Sequence, residues 1–362
     1  MGLDIANFDA RECAVMLVLA RLQNAGSVNA MQKLINHPEN FVDEMLEGIL
    51  RAHSAELKRA DDPRAIVRAD APVSGKVAIA TGGGSGHLPV FTGYVGRGLA
   101  DGAAIGNVFS SPSAEQMLAV AHAVNGGRGV LFLFGNYGGD VLNFSFAAEL
   151  AEAEGIPVAT VTATDDIASA PKGEEERRRG IAGIFFLYKV AGAAASEGAD
   201  LDDVKSVTER AAANLRSMGV ALSSCIIPAV GHPSFEVPPG QMEIGMGIHG
   251  EPGVRREPLE SANEVTDHLI TALLEDLPHS KGDQLDVLVN GLGATPREEL
   301  YIVYGRASAR LEEHGLTVRR AWVGEYATSL EMAGMSISLL RLDDDLVRLL
   351  DAPAHSPFFV RL

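Results

Sequence analysis

Short apolar runs alternate with amphipathic stretches along the first half of the chain. Three segments, "KVAIATGGGSGH", "GRGVLFLFGNYGGD" and "IPVATVTATDD", contain the consecutive apolar residues of buried strands. The stretches between them, such as "SAEQMLAVAHAV" and "VLNFSFAAELAEAEG", have the spacing of helices. Strands that alternate with helices predict a parallel or mostly parallel sheet, and such sheets bind ligands beyond the carboxyl ends of their strands.

A second set of apolar runs follows a long helical stretch at about residues 182–218. These runs are "VALSSCIIP", "EIGMGIHG", "QLDVLVNGLG", "LTVRRAWVG" and "SISLLRLDD". We therefore predict an α/β protein with two α/β domains and largely parallel sheets, the first over residues 31–215 and the second over residues 216–362. Residues 1–30 precede "MQKLINHPENFVDEMLEGILRAH", which is typical of a chain start, so they are either an added helix or the product of an upstream start codon.

The composition narrows the class of protein and of partner. The 362 residues carry 48 Asp and Glu against 30 Lys and Arg, a net charge of −18, which argues against nucleic acid or an anionic membrane as the main partner. No uncharged apolar run reaches the roughly 18 residues that a membrane helix needs. Cys13 and Cys225 form no CxxC, which argues against a metal cage or a disulfide framework. We predict a cytoplasmic protein.

The first strand runs into "TGGGSGH", Thr81–His87, which lacks the signatures of known phosphate loops. No Gly-Lys-Ser/Thr follows it, and His87 stands where a dinucleotide-binding motif has its last glycine. Two alternatives remain for this turn. Either its unshielded backbone N–H groups bind a small polar ligand, or it is a tight connection without one. Likewise, His87 either exchanges protons with a ligand near neutral pH or is a structural histidine.

Two further glycine-rich segments carry candidate functional groups. "GNYGGD" ends at Asp140, which either handles a hydroxyl proton or caps the following helix. In "EIGMGIHGEPGV", glycines flank Ile248-His249, and a neutral imidazole can attack a carbonyl to form a hemiaminal. No Cys, His or Asp lies at ligand spacing from His249, which argues against a metal, and Glu251 either orients the ring or faces solvent. Three such sites in two domains predict one pocket between the domains.

The chain resembles the dihydroxyacetone-binding subunit of dihydroxyacetone kinases, the DhaK type, from about Met31 to Phe359. Many collinear blocks carry the resemblance: "KLINHPENFVDEMLEG", "RADAPVSGKVA", "GGGSGH", "GYVGRGLADGAA", "FSSPSAEQ", "GNYGGDVLNF", "RRGIAGI", "MGVALSSC", "MEIGMGIHGEPG", "VNGLGATPREELY" and "YATSLEMAGMSISLL". The resemblance implies two α/β domains with the substrate between them. It also implies a phosphotransferase that acts on an alcohol group of dihydroxyacetone or a related small ketose.

The resemblance assigns expected roles to individual residues. The histidine of "GIHGEPG", His249, is expected to bind the substrate carbonyl covalently as a hemiaminal, which selects ketoses over polyols such as glycerol. His87 and Asp140 are expected to handle the hydroxyl that receives the phosphoryl group. The backbone expected to hold the sugar is that of Gly84, Ser85 and Gly86.

Cofactors and partners are also implied by the resemblance. ATP or ADP with Mg²⁺ is expected on a separate DhaL-type subunit, and this chain is expected to bind no cofactor or metal of its own. The phosphoryl donor is either bound ATP or a phosphotransferase-system protein charged from phosphoenolpyruvate. Because the sequence ends at Leu362, just past the last matching block, the nucleotide domain is expected on another polypeptide. A homodimer is expected.

Three positions depart from the pattern of the family and open alternatives. Leu88 and Phe91 replace a glutamate and a histidine after "GGGSGH", and Gly135 replaces a lysine that contacts substrate in the family. Losing a hydrogen bond to a charged group costs roughly 1.5–3 kcal/mol. The missing lysine side chain also leaves space in the pocket. One alternative is therefore a kinase subunit specific for a tetrulose such as erythrulose. Another is a non-catalytic ketose-binding co-activator, and a third is an isomerase of phosphorylated ketoses.

Overall fold

The computed structural model describes residues 32–233 and 235–362. The expectations for residues 1–30 and for Cys13 lie outside these residues. Within the described ranges, no helix combines the length and the apolar character that crossing a membrane requires. The helices are α1 (Phe41–Ala52), α2 (Ala114–Val124), α3 (Gly138–Ala153), α4 (Ile184–Ser196), α5 (Leu201–Ala213), α6 (Ala262–Asp276), α7 (Arg297–Glu313) and α8 (Asp344–Asp351).

The first sheet has six strands in the order β1-β2-β4-β3-β5-β6. Strand β3 pairs in parallel with β4 and β5, and β5 pairs in parallel with β6, while β1 and β2 form an antiparallel edge. The carboxyl ends of β3 and β5 therefore meet at one edge of the sheet. The strands are β1 (Leu57–Arg59), β2 (Ala65–Arg68), β3 (Ala78–Ser85), β4 (Gly102–Val108), β5 (Val130–Gly135) and β6 (Val158–Ala163).

The second sheet has six strands in the order β11-β10-β12-β7-β8-β9. Only β10 and β11 pair in parallel, across helix α7, and the other four pairings are antiparallel. The strands are β7 (Leu215–Ala221), β8 (Gln241–Ile244), β9 (Arg255–Pro258), β10 (Gln284–Gly291), β11 (Thr317–Gly324) and β12 (Gly334–Arg341). A short hairpin, β13 (Ala354–Ser356) and β14 (Phe359–Arg361), ends the chain.

The predicted α/β fold with two sheets is confirmed, and the direction of the strands differs between the sheets. The expectation of largely parallel strands describes the first sheet. In the second sheet, β7, β8 and β9 follow one another without an intervening helix. Strands joined without a crossover pair antiparallel, because a parallel connection needs a dozen or more residues and usually a helix.

Helix α4 lies in the core and joins the two halves of the chain. Every residue from Ile184 to Ala195 is buried, as expected for a helix that is apolar on nearly all sides. Its one charged residue, Lys189, is buried with the rest and donates to the carbonyl oxygen of Leu349. The largest apolar cluster includes residues of both sheets, such as Ile79 from β3 and Leu288 from β10. The two sheets therefore share this cluster, and each sheet also has an apolar cluster of its own. The division at residue 216 stays a prediction.

Candidate active site

The structure brings His87, Asp140 and His249 together in one cavity. His87 follows the carboxyl end of β3, and Asp140 lies in the first turn of α3, just after β5. His249 lies on the loop from β8 to β9, in the other half of the chain. The cavity is also lined by Gly84, Val90, Phe91, Gly135, Tyr137, Gly180, Ile181, Ile184, Ile248 and Ala327.

The ring of His87 has a defined proton position. His87 is buried, and its Nδ1 lies 2.7 Å from the carbonyl oxygen of Thr328. Because a carbonyl oxygen only accepts, Nδ1 carries a proton and donates it. Burial, with a smaller contribution from His249, lowers the pKa of His87 to about 3, so the ring is neutral at pH 7. Its Nε2 is consequently a lone-pair acceptor, and this atom is buried with no hydrogen-bond partner in the part of the chain that the structure describes.

Asp140 is a buried carboxylate whose Oδ1 has no hydrogen-bond partner among the described residues. Burial raises its pKa to about 6, although the neighbouring side chains of Ser111 and His249 oppose this shift. Tyr137, not Asp140, is the N-cap residue of α3. Oδ1 of Asp140 therefore does not cap the helix. A proton acceptor with a pKa near neutrality is suited to general base catalysis.

His249 is paired with a carboxylate on its own loop. Its Nδ1 lies 2.9 Å from Oε1 of Glu251, and its backbone N–H donates to Oε2 of Glu251 at 3.0 Å. Although burial raises the pKa of Glu251, the hydrogen bond and charge of His249 and the charge of Arg179 lower it to about 2. Glu251 is therefore ionised at neutral pH and only accepts, which keeps a proton on Nδ1 of His249. In the neutral ring, Nε2 then carries the lone pair that a nucleophile needs.

Aromatic side chains fix the rings of both histidines. The ring of His249 lies edge-on to His87 and Tyr137, with centroid distances of 4.7 Å and 4.6 Å. Phe109 stacks on His87 at 4.9 Å and also meets His249 edge-on at 5.3 Å. The hydroxyl of Tyr137 donates to the carbonyl oxygen of Gly180 at 3.0 Å. These contacts leave the imidazoles few rotamers, which favours a preorganised site.

The glycines around His249 have a structural reason that the sequence analysis did not foresee. A Cβ atom at Gly247 would overlap the carboxylate of Glu251 and the guanidinium of Arg179. Gly250 has a φ of +83°, which side chains disfavour, and a Cβ there would overlap Phe235. The small residues therefore make room for the carboxylate behind the imidazole and for the turn that carries it.

The predicted sugar-binding backbone is split in the structure. Gly84 lines the cavity, and a Cβ on it would come within 2.6 Å of the backbone nitrogen of Ser110. Ser85 does not line the cavity, but its Oγ is buried without a partner. Gly86 has a φ of +101°, and its carbonyl oxygen accepts from the N–H of Leu330 at 2.8 Å. The backbone at Gly84 is thus the part of the predicted trio that faces the cavity.

Two of the three departing positions, Phe91 and Gly135, line the cavity, and Leu88 does not. A Cβ atom at Gly135 would lie only 3.1 Å from the ring of Tyr137. The Tyr137 ring therefore occupies part of the space that the lysine side chain usual in the family was expected to leave. The free volume of the cavity is about 20 Å³. That is room for about one water molecule, so a nucleotide does not fit.

Arg179, Phe109 and Thr328 belong to the site and were missed as functional candidates in the sequence. Arg179 belongs to the block "RRGIAGI", which contributed to the resemblance but gave no role for the side chain. Thr328 contributes only a carbonyl oxygen, which no side-chain pattern signals. In residues 32–233 and 235–362, no cluster of three or more His, Cys, Asp or Glu residues is placed to hold a metal ion.

The family model for the Dak1 domain matches residues 47–358. The chain belongs to the Dak1 family. Among curated members, an L-erythrulose kinase of Pectobacterium atrosepticum is 48% identical over 333 residues, which are 91% of this chain and 56% of that protein. The dihydroxyacetone-binding subunit DhaK of a PTS-dependent dihydroxyacetone kinase from Listeria innocua is 46% identical and is matched over 91% of this chain and 99% of its own length. This Dak1 chain thus spans about half of the kinase and nearly all of the subunit.

Solved structures agree with the family assignment. The dihydroxyacetone kinase of C. freundii in its native form superposes with a TM-score of 0.84 at 33% identity, covering 91% of this chain and 60% of that one. A dihydroxyacetone kinase operon co-activator, DhaQ, superposes with a TM-score of 0.81 at 31% identity, covering 88% of this chain and 98% of that one. The Dak1 fold is therefore shared by proteins named as enzymes and by one named as a regulator.

Proposed function

We propose that this Dak1 chain is the substrate-binding unit of a kinase for dihydroxyacetone or a related small ketose. One observation carries the proposal: two buried acceptors, Nε2 of His87 and Oδ1 of Asp140, share a cavity with the imidazole of His249 and have no partner within residues 32–233 and 235–362. Leaving buried polar atoms without partners is unfavourable, so such atoms indicate a ligand that supplies the missing hydrogen bonds. A ketose has hydroxyl groups for the two acceptors and a carbonyl carbon for the nucleophile.

The proposed reaction has two steps. Nε2 of His249 forms a bond to the carbonyl carbon, and the oxygen becomes the hydroxyl of a hemiaminal. A terminal hydroxyl of the held ketose then attacks phosphorus, its proton passes to Asp140, and the bond from phosphorus to the donor breaks. His87, neutral and with Nε2 as an acceptor, orients a substrate hydroxyl.

The phosphoryl donor belongs to another unit in this proposal. A DhaL-type unit with ATP or ADP and Mg²⁺ would supply it, either from bound ATP or after recharging by a phosphotransferase-system protein. The narrow cavity supports this division, because a nucleotide does not fit in it as it stands. A homodimer in the cytoplasm completes the proposal.

Two alternatives have specific support. A tetrulose such as erythrulose is favoured by Gly135 and Phe91 at the cavity wall and by the 48% identity to an L-erythrulose kinase. A regulatory role is favoured by the likeness to the co-activator DhaQ. The paired proton acceptors His87 and Asp140 weigh against pure regulation, because binding alone does not require a base with a pKa near 6.

The proposal is tested by binding of dihydroxyacetone and erythrulose to the chain and to His249→Ala. We expect the variant to lose at least about tenfold in affinity, about 1.4 kcal/mol, because the covalent bond cannot form. His314→Ala, the same change at an exposed position at the end of α7, is the matched control and should bind as the unaltered chain does. Equal affinity of His249→Ala and the unaltered chain would refute the covalent role.

A further inference from the structure

We propose that Glu251, supported by Arg179, is a positioning residue that holds the proton of His249 on Nδ1 and thereby leaves Nε2 free to attack a carbonyl. The inference rests on the proposed function, since it explains how His249 becomes a nucleophile. Nothing in the resemblance assigns a role to Glu251 or Arg179.

The two carboxylate oxygens of Glu251 have separate partners. Oε1 lies 2.9 Å from Nδ1 of the His249 ring, and Oε2 accepts the backbone N–H of His249 at 3.0 Å. The same residue is thus bound at its ring and at its backbone. This two-point contact fixes the orientation of the imidazole relative to the loop, in addition to the position of its proton.

Arg179 holds the carboxylate from behind. Its Nη1 lies 3.7 Å from Oε2 of Glu251, while its Nε and Nη2 donate to Oδ2 of Asp166 at 3.0 Å and 2.7 Å. Nη2 also lies 3.2 Å from the carbonyl oxygen of Gly245, on the loop that carries His249. Asp166 and Arg179 therefore form a rigid pair between the first half of the chain and this loop.

The position of the carboxylate matches the charge that develops in the covalent step. Nε2 of His249 bonds to the carbonyl carbon, and the π electrons of the carbonyl move to oxygen. The oxygen then takes a proton from a solvent water, and the hydroxide that remains is released to solvent. The ring, which keeps its proton on Nδ1, becomes positively charged. Glu251 lies where this charge appears, and a preorganised opposite charge favours its formation.

The substitution Glu251→Gln tests the positioning role with little change in shape. The backbone N–H of His249 and the guanidinium of Arg179 both need an acceptor at the position of Oε2, so the amide oxygen of glutamine should take that place. The amide NH₂ then faces Nδ1 and donates to it. A donor at Nδ1 requires a lone pair there, which moves the ring proton to Nε2 and removes the nucleophile.

The experiment combines ¹⁵N NMR of the histidine rings in the ligand-free protein with affinity for dihydroxyacetone and erythrulose. We expect the His249 proton on Nδ1 in the unaltered chain and on Nε2 in Glu251→Gln, with an affinity loss of about tenfold to a hundredfold, the range found when partners behind metal-binding histidines are removed. Glu251→Asp keeps a carboxylate and should retain the Nδ1 proton, with a smaller loss of affinity. It also serves if Glu251→Gln fails to fold.

Glu243→Gln is the matched control. Glu243 likewise accepts a backbone N–H, that of Gly253, and pairs with an arginine, Arg256, but no histidine is among its hydrogen-bond partners in the described residues. This variant should leave the His249 tautomer and the affinity unchanged. An Nδ1 proton that persists in Glu251→Gln, or full ketose affinity in that variant, would overturn the positioning role. Failure of the proposed function is separate: His249→Ala would then bind ketoses as the unaltered chain does, while the NMR result would still decide the tautomer.

Discussion

The two halves of the site solve different problems. The half from the first sheet presents His87 and Asp140, which are buried and each have an acceptor atom without a partner among the described residues. At pH 7 His87 is neutral, whereas Asp140, with a pKa of about 6, is mostly ionised. The half from the second sheet presents His249, whose ring and backbone are both bonded to Glu251. The first half thus has acceptor atoms without hydrogen-bond partners, whereas the imidazole of His249 in the second half is hydrogen-bonded at Nδ1.

This difference follows from the chemistry that each half is proposed to perform. A base for a hydroxyl proton is most useful when its pKa is near the working pH, and burial without compensating bonds achieves this for Asp140. A nucleophilic imidazole needs a defined tautomer, which an ionised carboxylate on the opposite nitrogen supplies. We infer that desolvation tunes the first half and ion pairing tunes the second.

The largest expected effect comes from removing the base in the first half of the site. Asp140→Asn should lower turnover by about a hundredfold to ten-thousandfold, because the acceptor for the hydroxyl proton is lost, while ketose affinity stays within a few-fold. Turnover of the unaltered chain should fall about tenfold per pH unit below pH 6, where Asp140 becomes protonated. Asp202→Asn, on the exposed face of α5, is the control in steady-state assays with the nucleotide unit present. Undiminished turnover of Asp140→Asn would place the base elsewhere.

A smaller effect is expected on the free energy of unfolding, because burying the Asp140 carboxylate destabilises the folded state. Its pKa rises from about 3.8 unfolded to about 6 folded, so the folded state binds the proton more tightly and the stability of the protein falls as pH rises through this window. Asparagine has no such titration. The stability of Asp140→Asn relative to the unaltered chain should therefore grow by roughly 1 to 3 kcal/mol between pH 4 and pH 7.

Urea unfolding at several pH values checks this prediction. Glu251 provides the contrast, since its pKa is lowered and its ionised form stabilises the fold. Stability gained from Glu251 should be present above its unfolded pKa and be lost as pH falls towards 2. A difference between Asp140→Asn and the unaltered chain that does not change with pH would contradict the tuning by burial.

The smallest expected effect concerns the cavity wall. Gly135→Lys restores the residue usual in the family and should raise the preference for dihydroxyacetone over erythrulose by about tenfold, the lower end of a hydrogen bond to a charged group. The gain is limited because a Cβ there lies 3.1 Å from the ring of Tyr137, which must shift. Gly48→Lys, at an open position on α1, is the control in competition assays. An unchanged preference would remove Gly135 as a determinant of selectivity.

The sequence predicted the first half of the molecule better than the second. Alternating strands and helices, and glycine turns at the ends of β3 and β5, were enough to place His87 and Asp140 at one edge of a sheet. The antiparallel pairings of β7, β8 and β9 were not foreseen, because a short apolar run does not reveal the direction in which it pairs. The cavity between the halves was foreseen from the scattered glycine turns and from the family resemblance.

The partners of each functional group were the least predictable part of the site. Arg179 approaches Glu251 across 72 positions of sequence, and Thr328 approaches His87 across 241. Such contacts arise from tertiary packing and have no local pattern. From the sequence, Gly247 is only one of the glycines that flank Ile248-His249, whereas in the structure it makes room for the carboxylate of Glu251. The residue types at the site were thus predictable from the sequence, whereas the contacts that explain them became visible only in the folded structure.

The account depends most directly on a covalent bond between His249 and a ketose. The measurement is ¹³C NMR of dihydroxyacetone and of erythrulose labelled at the carbonyl carbon, added to the chain with ¹⁵N-labelled histidine. We predict that the labelled carbon becomes tetrahedral and couples to Nε2 of one histidine, and that this signal is absent in His249→Ala. A carbonyl carbon that stays trigonal when either ketose is bound, with no coupling to nitrogen, would contradict the account.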